Sequence, residues 1–302
     1  MNYDLLIIGA GPAGYTASIY ASRYKINHAV IGELPGGLMS SAHKICNFPS
    51  EIEVNGFDLT MKMKAHADSF GTEMIMEKAT SIEKNDGGFV VKTVNGKELT
   101  AKTILLATGT VHRDLGLAEE SRFVGKGLSY CATCDAMFFK NKTVAVIGGG
   151  NSALTAALYL AEVAEKVYLV VRNDEFNGEV VWIDQVKSNS KIEVIFNDSV
   201  TALEGVERLE SIKLSSGNTL AVTGIFVEVG SKPDASWFSN LNIALDPAGY
   251  IKVSADSSTN QEGIWAAGDI TDASNGLRQI ITACSEGAVA AAGIFRVLQK
   301  NK

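Results

Sequence analysis

A repeated unit most constrains what this chain can fold into: an apolar run of strand length leads directly into a glycine cluster and then a helix. Such runs are typical of buried parallel strands. The two units lie about 140 residues apart. The first is predicted as strand, helix and strand at 3–8, 14–24 and 28–31, and the second as a strand at 143–147, a helix that follows the glycine cluster and ends at about 164, and a strand at 166–171. The sequence therefore predicts an α/β protein with two Rossmann-like dinucleotide-binding domains.

The first cluster, Gly9-Ala10-Gly11-Pro12-Ala13-Gly14, has the spacing G-x-G-x-x-G. In this pattern the first glycine allows a tight turn, the second lets a pyrophosphate approach the backbone, and the third lets the helix pack closely on the strand. The helix N-terminus then faces the phosphates. The cluster predicts a dinucleotide site, and Glu33, near the end of the second strand, is the candidate ribose ligand.

The second cluster has the related spacing G-x-G-x-x-A, which predicts a second nucleotide pocket. Its candidate residues are Gly148, Gly150, Asn151, Ser152, Ala153 and Arg172. An NADP site needs Arg or Lys after the second strand, and an NAD site needs an acid there. Arg172 is the single cation in the segment 170–178, and the strand end carries no acid. Neither specificity pattern is complete.

Two cysteines just before the second unit form Cys131-Ala132-Thr133-Cys134, followed by Asp135. Thiols at this spacing can form a disulfide and exchange it with a partner, and Asp135 is a candidate acid. Half of a zinc site is the alternative, but no second C-x-x-C exists. The motif therefore favours a redox role without metal. The isolated Cys46 and Cys284 are predicted to be small core residues.

Charge and composition narrow the class of partner. The chain of 302 residues carries 27 Lys and Arg against 34 Asp and Glu, a net charge of −7, which disfavours nucleic acid and anionic membranes. No apolar stretch approaches the ~18 residues of a membrane span, and the first residues lack a basic leader. A cytoplasmic protein of two domains is expected.

The sequence resembles the low-molecular-weight thioredoxin reductases over essentially its whole length. The motifs that carry the resemblance are Gly9-x-Gly11-x-x-Gly14, Gly36-Gly37-Leu38, Ala107-Thr108-Gly109-Thr110, Cys131-Ala132-Thr133-Cys134-Asp135, Gly148-Gly149-Gly150-Asn151-Ser152-Ala153, Ala266-Ala267-Gly268-Asp269 and Arg278-Gln279. The resemblance implies a homodimer with an FAD domain (1–113 and 247–302) split around a pyridine-nucleotide-type domain (114–246) that carries the dithiol. Electrons would pass from a donor through FAD and the dithiol to thioredoxin or a similar protein.

The resemblance also implies roles for individual residues. Cys134 would lie nearer the flavin, Cys131 would attack the partner disulfide, and Asp135 would protonate the departing thiolate. Asp269 would bind the ribityl or phosphate end of FAD, and Arg278 and Gln279 would close over the flavin. The full set of implied FAD-binding residues is Gly9, Gly11, Pro12, Ala13, Gly14, Glu33, Gly36, Gly37, Leu38, Asn47, Thr108, Gly109, Gly268, Asp269, Arg278, Gln279 and Ile280.

The sequence departs from this family where the electron donor binds. The family's His-Arg-Arg and further Arg align with Val171, Arg172, Asn173 and Asn177, and its helix acid aligns with Thr155. A neutral Asn cannot replace the charge-assisted hydrogen bonds of Arg to phosphate, so NADPH is disfavoured. NADH or a second FAD are the alternatives for this pocket. A flavoprotein fed by ferredoxin, and a redox sensor without turnover, are the alternative functions.

Overall fold

The computed structural model describes residues 2–300. In chain order the strands are β1 (Asn2–Ile8), β2 (His28–Ile31), β3 (Glu73–Ile75), β4 (Ala79–Asn85), β5 (Gly88–Thr93), β6 (Glu98–Leu106), β7 (Thr110–His112), β8 (Leu128–Ser129), β9 (Thr143–Ile147), β10 (Lys166–Val171), β11 (Ile192–Phe196), β12 (Val200–Glu204), β13 (Ser211–Leu214), β14 (Thr219–Ala221), β15 (Gly224–Val227), β16 (Ser231–Pro233) and β17 (Ile264–Ala266). The helices are α1 (Pro12–Arg23), α2 (Gly56–Asp68), α3 (Glu120–Phe123), α4 (Ala132–Asp135), α5 (Asn151–Val163), α6 (Val180–Ser188) and α7 (Ile280–Lys300).

The chain forms two compact units, one made of Met1–Val111 with Pro233–Lys302 and the other of His112–Lys232. In the first unit a parallel sheet has the order β3-β2-β1-β6, and the long strand β6 continues it on its free edge. There the first half of β6 pairs antiparallel with β5, and its second half pairs parallel with β17. Side chains of β1 alternate between two apolar cores, with Leu6 and Ile8 on one face and Leu5 and Ile7 on the other. Burial of both faces explains the continuous apolar run of this strand.

Helices α1 and α7 pack on the same face of this sheet, in the core that contains Leu5 and Ile7. A side chain at Gly287 of α7 would overlap the backbone carbonyl of Ala13 in α1, so the two helices approach at backbone distance. The expectation that no apolar stretch approaches the length of a membrane span is wrong for α7, whose 21 residues have the length and apolarity of a membrane-crossing helix. One face of α7, which includes Ala290, Ala291 and Ile294, is buried in this core.

The second unit contains a parallel sheet of order β11-β10-β9-β15-β8 and an antiparallel sheet β12-β13-β14. The chain runs from β9 through α5 to β10 on one side, and returns to the other side of β9 at β15. The strand order therefore reverses between β9 and β15. In open α/β sheets a ligand binds outside the carboxyl ends of the strands at such a reversal.

The predicted strands at 28–31, 143–147 and 166–171 are confirmed at the same bounds. One expected domain boundary is wrong: residues 233–246 pack with the first unit and not with the second. Phe238 and Leu241 are buried in the core that contains Ile82, and Asn240 Nδ2 donates a hydrogen bond to the Ile82 carbonyl at 2.8 Å. The sequence spacing of Phe238 and Leu241 does not reveal whether these residues join the core of the first unit or that of the second.

Candidate functional site

The first glycine turn requires glycine at two of its positions for steric reasons. Gly9 has φ +123°, a conformation that other L-residues rarely adopt, and a side chain there would overlap the backbone carbonyl of Ala107. A side chain at Gly14 would overlap the Gly9 carbonyl. These contacts bring the start of α1 close to the ends of β1 and β6, as the fingerprint predicts.

Open space lies on the other side of this turn. Among the described residues, a Cβ atom at Gly11 would meet only the Gly36 carbonyl oxygen, at 3.9 Å, and one at Gly37 would meet only Gly11 Cα, also at 3.9 Å. A Cβ atom at Gly109 would meet no described atom within 4 Å. The first turn of α1 has no acidic residue, and Gly11 before it gives no side-chain cap. Its free amide groups can therefore bind an anion.

Two of the buried polar atoms that have no hydrogen-bond partner within residues 2–300 belong to the motifs assigned to the first pocket: Thr108 Oγ1, next to Gly109, and Arg278 Nε. The Arg278 guanidinium lies 3.7 Å from the ring centroid of Tyr250, which holds it in place. A buried polar atom without a partner is costly unless a ligand or water satisfies it. The bare glycine turn and these unpaired groups fit a bound dinucleotide such as FAD.

The turn after β17 carries Asp269 and is held by an acid that sequence reasoning missed. Glu286 of α7 accepts hydrogen bonds from the Gly268 amide at 2.7 Å, from Thr271 Oγ1 at 3.0 Å and from Ser274 Oγ at 2.6 Å. Burial raises the pKa of the Asp269 carboxyl, and the Arg278 charge opposes this shift. The signal for Glu286 was its place as the single charged residue in the segment 280–295.

The remaining candidates for the first pocket lie around its rim. Asn47 Nδ2 donates a hydrogen bond to Gln279 Oε1 at 2.9 Å, which joins two segments that are 232 residues apart. Ile280, the next residue, begins α7. Glu33 and Leu38 are exposed. The fold therefore brings Asn47 and Gln279 together, whereas the exposed carboxylate of Glu33 makes no hydrogen bond or ion pair to the turn within the described residues.

The two cysteines of the C-x-x-C motif form a disulfide, with 5.3 Å between their Cα atoms. Cys131 lies at the N-cap of α4, and the Cys134 amide donates to Cys131 Sγ at 3.2 Å. Cys134 is exposed and Cys131 is half-buried. A disulfide uses both sulfurs, which a zinc site would need as thiolates, so the geometry supports the redox interpretation.

Ser129, in β8, links this dithiol to Asp135 and was not predicted from the sequence. Its Oγ accepts from the Cys131 amide at 3.0 Å and donates to Asp135 Oδ2 at 2.7 Å. The hydroxyl therefore holds the carboxylate beside the motif. Only its position two residues before Cys131 could have indicated it.

An apolar surface follows the dithiol directly. Met137 is 63% exposed and Phe138 is 73% exposed, whereas the next residue, Phe139, is buried. Large apolar side chains exposed next to a reactive group are typical of a protein-binding surface. Sequence reasoning did not separate these two residues from the buried Phe139.

The second glycine turn has the predicted backbone. Gly148 has φ +140°, and a side chain there would overlap the backbone carbonyl of Glu228. Ala153 is fully buried in the core of this unit. Arg172 is exposed. Glu228 was missed, although an acid directly after the apolar strand β15 is a recognisable signal.

The prediction for the isolated cysteines is half right. Cys284 is half-buried, and burial raises the pKa of its thiol. Cys46 is exposed, so its assignment to the core is wrong. It lies next to the buried Ile45, whose backbone pairs with Val54 in an isolated bridge, and the extended backbone turns the neighbouring side chain outward.

Comparison with known proteins places the chain in a family. The family model described as "Pyridine nucleotide-disulphide oxidoreductase" matches residues 3–287. The chain belongs to this family. It is 38% identical to a thioredoxin reductase of Peptoclostridium acidaminophilum over 99% of this chain and 98% of that protein.

Two solved structures have the same fold over nearly the whole chain. The thioredoxin reductase of Lactococcus lactis matches with a TM-score of 0.93 at 33% identity, and the two chains are each covered to 99%. The thioredoxin reductase of T. acidophilum matches with a TM-score of 0.93 at 31% identity and the same coverage. The α/β fold with Rossmann-like domains and the resemblance to thioredoxin reductases are therefore confirmed. The chain is a disulfide oxidoreductase, and the Cys131–Cys134 pair fits its redox-active dithiol.

Proposed function

We propose that this chain is an FAD-dependent reductase that passes electrons through the Cys131/Cys134 dithiol to thioredoxin or a thioredoxin-like protein. The observation that carries the proposal is the disulfide itself, with Cys134 exposed and followed closely in sequence by the exposed apolar side chains of Met137 and Phe138. A disulfide buried in a core would only stabilise the fold. An exposed one next to an apolar surface is suited to exchange with another protein.

The first glycine turn would hold the pyrophosphate of FAD, which supplies two-electron exchange with the dithiol when it is bound. The space at Gly11 and Gly37 leaves the amides at the start of α1 accessible to phosphate. Thr108 Oγ1 and Arg278 Nε are buried groups that such a ligand would satisfy. Glu286 would keep the Gly268–Asp269 turn in place beside it.

Transfer to the partner would proceed by two thiol–disulfide exchanges. The Cys131 thiolate attacks one sulfur of the partner disulfide, forms a mixed disulfide and releases the other partner sulfur as a thiolate. The Cys134 thiolate then attacks Cys131 Sγ, re-forms the Cys131–Cys134 bond and releases the second partner sulfur. Two electrons and two protons thus pass from the dithiol to the partner.

Asp135 would move protons in these exchanges. Its carboxyl is fixed at 2.7 Å from Ser129 Oγ, and Ser129 also accepts from the Cys131 amide. A carboxyl held at this place can take the proton of a thiol that must attack and return it to a thiolate that departs. The homodimeric state, the cytoplasmic location and an interaction with ferredoxin stay predictions from the sequence.

The test is a single transfer from the holoenzyme after anaerobic photoreduction, which makes the result independent of the natural electron donor. The photoreduced wild type is mixed with oxidised thioredoxin, flavin reoxidation is followed by absorbance, and thioredoxin thiols are counted by alkylation and mass spectrometry. We expect the wild type to reoxidise and to produce thiols. The Cys134→Ser variant should bind FAD normally and form at most a mixed disulfide between Cys131 and thioredoxin, without releasing fully reduced thioredoxin.

The matched control is Cys46→Ser, which removes an exposed cysteine away from the motif. This variant should behave as the wild type does. If Cys134→Ser reduces thioredoxin at the wild-type rate, the dithiol is not on the electron path and the proposed function is wrong.

A further inference from the structure

The two glycine turns are built alike, which allows a direct comparison between them. At the first turn the Gly36 amide donates to the Ala10 carbonyl at 2.7 Å, and at the second the Asn177 amide donates to the Gly149 carbonyl at 3.0 Å. Ala10 and Gly149 are the middle residues of their G-x-G motifs. Gly36 and Asn177 therefore occupy equivalent places, each in the loop that follows the second strand of its unit.

The equivalent residues differ in what they put over the turn. Gly36 has no side chain, and the face of Gly11 is bare, because a Cβ atom there would meet only the Gly36 carbonyl oxygen, at 3.9 Å, among the described residues. At the second turn, Asn177 Oδ1 lies 3.4 Å from the position of a Cβ atom on Gly150 and 3.7 Å from that on Gly149. Gly150 is the second glycine of its motif, the point that a pyrophosphate approaches. The Asn177 side chain thus covers the surface that the first turn leaves open.

The residues after Asn177 are clamped to the start of α5. Asn151 Oδ1 accepts from the Glu179 amide at 2.7 Å, and Asn151 Nδ2 donates to Glu179 Oε1 at 3.1 Å. Gly178 lies between Asn177 and Glu179 in the sequence. A Cβ atom on Gly178 would lie 2.5 Å from Leu154 Cδ1 and 2.9 Å from Asn151 Oδ1. The chain itself therefore occupies the helix N-terminus where phosphates would bind.

The local charge also opposes a phosphate. Glu228 follows β15 at the reversal of strand order, and its backbone contacts Gly148. Its carboxyl is partly buried and makes no hydrogen bond or ion pair in the described part of the chain, and burial raises its pKa to about 7. The loop adds the exposed acids Asp174, Glu175 and Glu179 against one exposed cation, Arg172.

We propose that Asn177, Glu179 and Glu228 set the specificity of the second glycine turn against dinucleotides. A pyrophosphate would have to displace the Asn177 side chain, break the clamp between Asn151 and Glu179, and bring two negative charges towards carboxylates. The residues of this turn do not fit NADPH, NADH or a second FAD. The inference rests on the proposed function only in expecting one FAD, at the first turn.

The test measures binding of NADP⁺ and NAD⁺ to the purified holoenzyme by isothermal titration calorimetry, together with flavin content per chain. We expect dissociation constants above about 1 mM for the wild type and one FAD per chain. In the double variant Asn177→Gly with Glu228→Gln, which reproduces the bare first turn and removes one carboxylate, affinity for at least one nucleotide should rise at least about tenfold.

The control is Glu162→Gln, which removes an exposed carboxylate from the opposite end of α5 and should leave affinity unchanged. Micromolar binding of either nucleotide to the wild type, or two FAD per chain, would overturn the inference. So would an unchanged affinity in a folded double variant. If that variant does not fold, the wild-type measurements decide alone. Thioredoxin reduction by the photoreduced wild type tests the proposed function separately, because it needs no nucleotide at this turn.

Discussion

Replacing Glu228 with glutamine should stabilise the protein in a pH-dependent manner. Glu228 directly follows β15, and burial of its carboxyl raises its pKa from 4.5 to about 7. At about 1.4 kcal/mol for each pKa unit, the ionised side chain costs about 3 kcal/mol of folding free energy. Because glutamine is neutral at every pH, Glu228→Gln removes this cost.

The pH dependence of stability follows from the pH at which the Glu228 carboxyl loses its proton in the folded and in the unfolded state. Below the unfolded pKa near 4.5 both states are protonated, so the ionised form contributes no penalty. Between pH 4.5 and about 7 the folded state keeps the proton and the unfolded state releases it, so wild-type stability falls as the pH rises. Above about pH 7 the full cost remains. Wild type and variant should therefore be equally stable near pH 4.5 and differ by about 3 kcal/mol above pH 7.

Scanning calorimetry of the holoenzyme from about pH 5 to about pH 8.5 checks this expectation. A difference of about 3 kcal/mol corresponds to roughly 10 °C in the Tm of a domain of this size. The control Glu162→Gln removes an exposed carboxylate on α5. Its difference in Tm from the wild type should not grow with pH. If the difference in Tm between the wild type and Glu228→Gln stays constant with pH, the assignment of Glu228 as a buried, titrating carboxyl is wrong.

Three further substitutions test the first turn and the partner surface. Gly9→Ala puts a methyl group against the Ala107 carbonyl at φ +123° and should cost at least about 3 kcal/mol and lower the flavin content after purification. Glu286→Gln weakens the hydrogen bonds that hold the Gly268 turn and should raise the dissociation constant of FAD at least about tenfold, measured by ultrafiltration. Phe138→Ser should raise the KM for thioredoxin about tenfold and leave single-transfer chemistry in the bound complex unchanged. The control Lys140→Ser, at another exposed position, should change neither the KM nor the single transfer.

Motifs in which the required residues are close in sequence were predictable without the fold. The strand, glycine cluster and helix around Gly9 and Gly148 depend on local spacing and backbone freedom, and so does the Cys131–Cys134 disulfide. In each case the geometry that matters spans a few residues, which a linear pattern records directly.

Contacts between distant segments were not predictable in the same way. Residues 233–246 join the first unit because Phe238 and Leu241 complete its core. An apolar side chain is equally suited to the core of the first unit and to that of the second, so residue type alone does not decide between them. Glu286 reaches the Gly268 amide across 18 positions, and Asn47 meets Gln279 across 232. Hydrogen-bond partners this far apart are selected by packing and not by spacing.

The sequence by itself determined the fold class, the family and the dithiol, because these depend on residue type and local spacing. Only the tertiary structure decided that Gly36 and Asn177 lie at equivalent places over the two turns, and that the Glu228 carboxyl is partly buried beside the second one. Both facts depend on loops that return to a glycine turn from later in the chain. The missing arginines suggested a weakened second site, and the packing of these loops supports the proposal that Asn177 and Glu228 disfavour dinucleotides there.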